Sequence, residues 1–166
     1  LYLPMHTATR LAVPVLERIR RLNPRVRLCC FGLYAPLNED LLRGLGVEAI
    51  IGGEFEAELR RFARGGSPGT LISLEKLNFL VPDRSGLPQL ERYSSLRVGK
   101  ERRLTGYVEA SRGCKHLCRH CPIVPVYKGA FRVVPREIVL ADIRNQVAAG
   151  ARHLTFGDPD FFNGPA

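Results

Sequence analysis

"SRGCKHLCRHCP", residues 111–122, carries three of the chain's five cysteines at a spacing of C-x3-C-x2-C. Just before it, "LTGYVEAS" (104–111) reads as a strand. After it, "PREIVLADIRNQVAAG" (135–150) reads as a helix, with an apolar stripe of Val139, Leu140, Ile143 and Val147 and a terminating Gly150. "ARHLTFGDPD" (151–160) is a second strand that runs into a polar turn. Strand, long loop, helix and strand form one β–loop–α–β unit, which implies parallel pairing and an α/β layered fold. Ligand sites in such folds sit at the carboxyl ends of the strands, where the cysteine loop and the turn both lie.

Residues 1–66 repeat the alternation. "RLAVPVLERIRRLN" (10–23) reads as a helix that buries Leu11, Val15, Leu16, Ile19 and Leu22. Thr9 is its candidate cap, and Pro14 suits only the first turn, which sets the expected start near Val13. "RVRLCCFG" (25–32) and "VEAIIGGE" (47–54) read as buried strands, and "NEDLLRGLG" (38–46) and "FEAELRRFARGG" (55–66) as helices. "LYLPM" (1–5) reads as the end of an earlier strand. Residues 67–100 are rich in Gly, Pro and Ser and read as a packed linker anchored by Leu74, Leu77, Phe79, Leu80 and Tyr93. The expected organisation is therefore a Rossmann-like parallel sheet over 1–66, a linker over 67–100 and a second α/β unit over 101–166. A chain that opens on Leu, with few strands in either unit, reads as a fragment of a longer protein.

Composition narrows the class. A length of 166 residues, 45% hydrophobic and 25% charged, is ordinary for a globular chain. No apolar run is long enough to span a membrane. An odd number of cysteines in two separate places does not suit a disulfide framework and points to a reducing cytoplasm. The 25 basic and 16 acidic residues give a net charge of +9. By region, 10 basic against 7 acidic residues give +3 over 1–66, 5 against 3 give +2 over 67–100, and 10 against 6 give +4 over 101–166. The excess is spread out, without the basic blocks or aromatic–basic interleaving of a nucleic-acid surface, so solvated arginines are favoured over an RNA or DNA partner.

Thiolates bind zinc or iron–sulfur clusters. A closed zinc site needs four ligands, and His116 or His120 could join Cys114, Cys118 and Cys121. The spacing is not usual for a zinc finger, and no second ligand pair follows. A [4Fe–4S] cluster held by three thiolates keeps one iron open to an outside ligand.

Strand, "GCKHLCRHC", helix, and strand ending in "GDPD" together resemble the start of a radical S-adenosylmethionine (radical SAM) domain. The resemblance implies a partial (β/α) barrel. It implies a [4Fe–4S] cluster on Cys114, Cys118 and Cys121, whose open iron binds S-adenosylmethionine and cleaves it reductively to a 5′-deoxyadenosyl radical. It also places His120 near the adenine and Gly157, Asp158, Pro159 and Asp160 near the ligand's amino group. An electron donor such as flavodoxin or ferredoxin is implied, and the substrate is not. The front of the chain, with "IIGGEFEAEL", "VPDRSGLPQLERY" and "GYVEASRGC", is similar to radical SAM proteins with an N-terminal cobalamin-binding-type domain, and among them to the subgroup named for a CUAEP or CCAEP tail. The D-x-H-x-x-G signature of axial cobalamin ligation is absent, since His6 is followed by Thr-Ala-Thr. Either the signature lies upstream, or the domain keeps the fold without cobalamin.

Simpler readings stand beside these. Cys29 and Cys30 suit core packing, His6 a loop or helix start, and Gly52–Gly53 a turn before a helix. His116 suits a solvent-facing position, Glu109 suits either face of its strand, and Asp158 and Asp160 suit turn and cap roles. The alternative function is a non-catalytic iron–sulfur or zinc module in contact with RNA. Metal and sulfide analysis after anaerobic reconstitution separates the two: about four irons with acid-labile sulfide are expected per chain. Alanine at Cys114, Cys118 or Cys121 should abolish that loading, and alanine at Cys29 should not. Zinc without sulfide would overturn the assignment.

Overall fold

A computed structural model describes residues 1–163. The last three residues of the expected 101–166 unit lie outside the described residues. The chain divides into two compact units: Leu1–Leu77 with Lys115–Ala130, and Asn78–Cys114 with Phe131 onward.

The first unit is a parallel α/β layer. Its elements are α1 (His6–Leu22), β1 (Cys29–Phe31), α2 (Glu39–Gly44), β2 (Ala49–Gly53), α3 (Glu56–Ala63), β3 (Ile72–Ser73) and α4 (Val124–Tyr127). The strands run parallel in the order β1-β2-β3, and Tyr2 bridges Phe31 in the same sense, as an earlier strand end would. β2 is buried along its whole length, which explains its unbroken apolar run. The core gathers Leu3, Ala12, Leu16, Leu28, Cys30, Leu42 and Ile50. Gly52 and Gly53 are needed for close packing. A Cβ on Gly53 would collide with the Ser73 carbonyl, and one on Gly52 would meet the Pro36 ring at 2.5 Å. Gly53 also sits at φ +73°, where L side chains are strained. β3 falls within the expected linker, so the parallel sheet reaches past residue 66.

Two details of α1 differ from expectation. The helix begins at His6, Thr9 lies inside it with Oγ1 donating to the Met5 carbonyl, and Pro14 is interior. The longer helix also buries only part of the expected stripe: Leu16 is in the core and Ile19 packs against it. Thr9, Ala12 and Leu16 face inward, while Leu11 and Leu22 are 66% and 75% exposed and Val15 is exposed too. Thr9 and Ala12 are small enough to be buried without a large apolar side chain, which hydrophobicity alone does not reveal.

The second unit holds β4 (Ser95–Val98), β5 (Glu101–Val108), β6 (Ser111–Gly113), β7 (Phe131–Val133), α5 (Arg136–Ala148) and β8 (His153–Phe156). β4 and β5 form an antiparallel hairpin, and β5 pairs with β8 in parallel, giving the order β4-β5-β8. α5 is the crossover between the parallel pair. β6 and β7 form a separate antiparallel ribbon at the two ends of the cysteine loop. The buried residues of α5 are Asp142 and Gln146, whereas Val147 of the expected stripe is 53% exposed. Among the described residues no helix is long and apolar enough to cross a membrane.

Leu16 is fully buried in this core. Leu16→Ala should destabilise the protein by about 2–5 kcal/mol in urea unfolding followed by circular dichroism. Leu11→Ala should fall within about 0.5 kcal/mol. Equal effects would contradict the observed orientation of α1.

Candidate functional site

The turn 157–160 leaves the carboxyl end of β8 beside the carboxyl end of β5. Gly157 continues the ladder, its N–H donating to the Val108 carbonyl at 2.9 Å. A Cβ there would meet the Tyr107 hydroxyl and ring, so the ring can lie where it does only beside glycine. Asp158 ties the two strand ends together. Ala110 N–H donates to its Oδ1 and Oδ2 at 3.0 and 3.1 Å, and the buried Ser111 hydroxyl donates to Oδ1 at 2.6 Å. Asp160 reaches the cysteine loop, where the Cys114 thiol donates to its Oδ2 at 3.3 Å. Pro159 is exposed. The structure thus brings Gly157, Asp158 and Asp160 together with Cys114.

The other expected residues lie in the segment grouped with the first unit. His116, Cys118 and His120 are exposed, and Cys121 is half-buried. Cys121 N–H donates to the Cys118 carbonyl at 3.1 Å, so these two cysteines share one turn. The segment ends in α4, whose Val126 and Tyr127 are buried and which packs beside β2. None of the five cysteines is in a disulfide. Among the described residues no group of three or more His, Cys, Asp or Glu side chains is gathered closely enough to hold a metal ion. By chemistry the donors still suit an iron–sulfur cluster: three thiols in one loop, none in a disulfide and none fully buried, with the first touching the turn on β8. Cys29 and Cys30 differ. Burial pushes the Cys29 thiol up to about 11 and raises that of Cys30, as in inert core cysteines. His6 is exposed at the start of α1.

A buried polar relay supports β5 from behind. Gln146 Oε1 accepts from Tyr107 N–H and its Nε2 donates to the Tyr107 carbonyl, both at 2.9 Å. Nε2 also donates to Asp142 Oδ2 at 3.1 Å. Asp142 in turn takes both guanidinium nitrogens of Arg84, from the segment before β4. Arg84 is therefore a principal anchor of the expected linker, while Leu80 and Tyr93 are exposed. The sequence signal was present but easily passed over: Asp142 and Gln146 are four apart on one helix face, among apolar residues.

Tyr107 lines two hollows in this unit. One of about 970 Å³ lies between residues 81–94, Thr105 and Asn145. One of about 270 Å³ holds Glu109 and Arg112 against Phe79, Val134 and Ile138. Glu109 is half-buried. Burial first, and the Asp158 charge as well, raise its pKa; Arg112 and the Tyr107 hydroxyl oppose the rise.

No family model matches the chain. It is 33% identical over 85 residues to the ribosomal protein uS12 methylthiotransferase RimO of Geobacter sulfurreducens, covering 45% of this chain and 19% of that protein. It is 32% identical over 65 residues to the tRNA-2-methylthio-N(6)-dimethylallyladenosine synthase of Chlorobium luteolum, covering 39% and 14%. The chain thus matches less than a fifth of the length of these curated relatives. Among solved structures it is similar to the radical S-adenosylmethionine methyltransferase TsrM of Kitasatospora setae, determined with tryptophan and the analogue aza-SAM. The TM-score is 0.59 at 17% identity, over 89% of this chain and 32% of that one. This establishes the α/β fold with its parallel sheet. Together the similarities support a radical SAM relationship and do not reach the CUAEP/CCAEP subgroup.

The packing of the turn has a direct test. Gly157→Ala should destabilise the protein by about 1–3 kcal/mol, the usual cost of forcing an atom into filled space. Pairing it with Tyr107→Ala, which removes the obstructing ring, should recover part of that loss. An unfolding midpoint unchanged by Gly157→Ala would show that the turn has room.

Proposed function

We propose that this chain is part of a radical SAM enzyme. Residues 101–166 contribute the start of its barrel, and the parallel sheet of the first unit is a cobalamin-binding-type domain. The observation that carries the reading is the junction of Cys114 with the turn on β8 through Asp160, at the carboxyl ends of a parallel strand pair. In this reading Cys114, Cys118 and Cys121 hold a [4Fe–4S] cluster. Its chemistry, with S-adenosylmethionine bound and an electron from a flavodoxin- or ferredoxin-type donor, is reductive cleavage to a 5′-deoxyadenosyl radical.

The chain's own residues do the positioning. Asp158 fixes the spacing of the two strand ends by holding Ala110 and Ser111, and Gly157 lets the Tyr107 ring lie against the turn. Backbone groups of the turn then face the ligand's amino group, and His120 stands near its adenine. The relatives named above transfer methylthio groups and the structural neighbour methyl groups, so carbon–sulfur or methyl transfer is the reaction class we assign. The subgroup named for a CUAEP or CCAEP tail is the branch we assign it to. Cobalamin is given no step, because no axial-ligand motif is present and His6 lies exposed on α1.

In the full-length protein with a reduced, loaded cluster, S-adenosylmethionine should change the electron paramagnetic resonance spectrum. His120→Ala should weaken that response and leave the cluster in place. An unchanged spectrum at saturating S-adenosylmethionine would instead assign an electron-transfer or structural role.

A further inference from the structure

In the first unit, Ala57, Arg60, Arg61 and Arg64 line a hollow of about 440 Å³ together with Gly66. Their spacing puts them on one face of α3, and the last turn runs on to Arg64, whose N–H donates to the Arg60 carbonyl at 3.2 Å. Among the described residues that line it, three carry guanidinium groups and none carries a carboxylate.

Arginines near the end of a helix ordinarily offset the partial negative charge of its last carbonyls. Here another residue fills that role. Arg27 donates from Nη1 to the Phe62 carbonyl at 3.4 Å and from Nη2 to the Gly66 carbonyl at 2.8 Å, and its guanidinium lies 4.2 Å from the centre of the Phe62 ring. Glu48 holds Arg27 in place through Nε and Nη2. Arg61 is tethered as well. Its Nη2 lies 3.5 Å from Oε1 of the buried Glu58, whose Oε2 accepts from Gly69 N–H at 2.6 Å. Arg60 and Arg64 differ. Both are exposed, and among the described residues neither side chain makes a hydrogen bond or an ion pair. They stand four apart, the spacing at which like charges on a helix destabilise each other, so an anion between them relieves a repulsion that the fold leaves in place.

We propose that this face of α3 binds a small phosphate-bearing molecule, with the phosphate between Arg60 and Arg64 and against the tethered guanidinium of Arg61. Guanidinium groups offer paired N–H donors that match phosphate oxygens, and three of them suit an anion of more than one charge. The volume lies within the range of small-molecule sites. No aromatic side chain lines the hollow for a base to stack on, which favours a free phosphate compound over a nucleic-acid strand. Every residue assigned to the phosphate belongs to α3 or the loop after it, so the site stands apart from the radical SAM reading.

The probe is inorganic pyrophosphate, titrated by calorimetry into the full-length protein at low salt, where surface charges are least screened. A dissociation constant of about 0.1 mM or tighter is expected. Arg60→Gln and Arg64→Gln should each weaken binding about tenfold, the loss of one charge-assisted contact. Arg10→Gln, which removes the same charge from an exposed position on α1, should leave it within about twofold. Without pyrophosphate, the unfolding midpoints of both α3 variants should match the wild type, since glutamine has nearly the helix propensity of arginine and both positions are exposed. A midpoint lowered in either variant would make these arginines supports of α3 and overturn the proposal. Equal weakening by Arg10→Gln would reduce the effect to net charge and overturn it too, as would a wild-type protein that does not bind pyrophosphate. A short oligouridylate that binds more tightly than pyrophosphate, and loses its affinity in the same two variants, would replace the small ligand with a nucleic-acid strand.

Discussion

The carboxamide of Gln146 closes a strand edge that the second sheet leaves open. β4 pairs with β5 from Glu101 to Leu104, and the Ser94 carbonyl reaches Thr105 N–H. Beyond that point β5 has no strand on this side among the described residues. The Leu104 and Val108 carbonyls accept from Arg152 and Gly157 on the β8 side, so Tyr107 presents its N–H and C=O to the open edge. Unpaired backbone groups there would cost free energy comparable to lost hydrogen bonds. A carboxamide supplies one acceptor and one donor at the spacing of a peptide unit, and Gln146 does so at 2.9 Å on each side.

Much of the second unit follows from that one substitution of side chain for strand. α5 must turn a polar face inward, so Asp142 and Gln146 are its buried residues. Asp142 orients the carboxamide, and Arg84 compensates the charge that Asp142 brings into the interior. A buried ion pair of this kind adds little net stability but is costly to break on one side, so it selects position more than it adds stability. The segment before β4 is thereby pinned, and Tyr107 is held where its ring can rest against Gly157.

The sequence is legible where burial is strong and regular. β1 and β2 are apolar runs that pair in parallel with a helix between them; β5 and β8 are less buried, yet the helix between them, closed by Gly150, also marks them as a parallel pair. It is illegible where pairing occurs without burial. Three of the four residues of β4 are exposed, so no alternation marks it as a strand, and β3 is only two residues long. In α1 the expected Leu16 and Ile19 do pack, but the apolar Leu11, Val15 and Leu22 face solvent while Thr9 and Ala12 are buried, so a reading weighted by hydrophobicity finds only part of the inward face. α5 misleads in the opposite way, since its inward residues are polar and satisfied within the fold. At the site, the C-x3-C-x2-C spacing and the GDPD turn are visible in the sequence. That Asp158 is consumed by Ala110 and Ser111 depends on two strands lying side by side, and no linear pattern encodes it.

The ribbon of β6 and β7 brings Gly113 opposite Phe131, so the cysteine loop leaves and re-enters the second unit at one narrow neck. A closed neck makes the loop topologically a side branch. The register of Thr105 with His153 is set by α5 and the β5–β8 ladder, outside the segment that the neck closes off. The ends are already joined, and added length costs entropy only logarithmically. The stretches of the loop outside its three cysteines and the buried Val126 and Tyr127 can therefore vary in length while the β5–β8 scaffold stays in register, as a socket accepts different fittings without being recut.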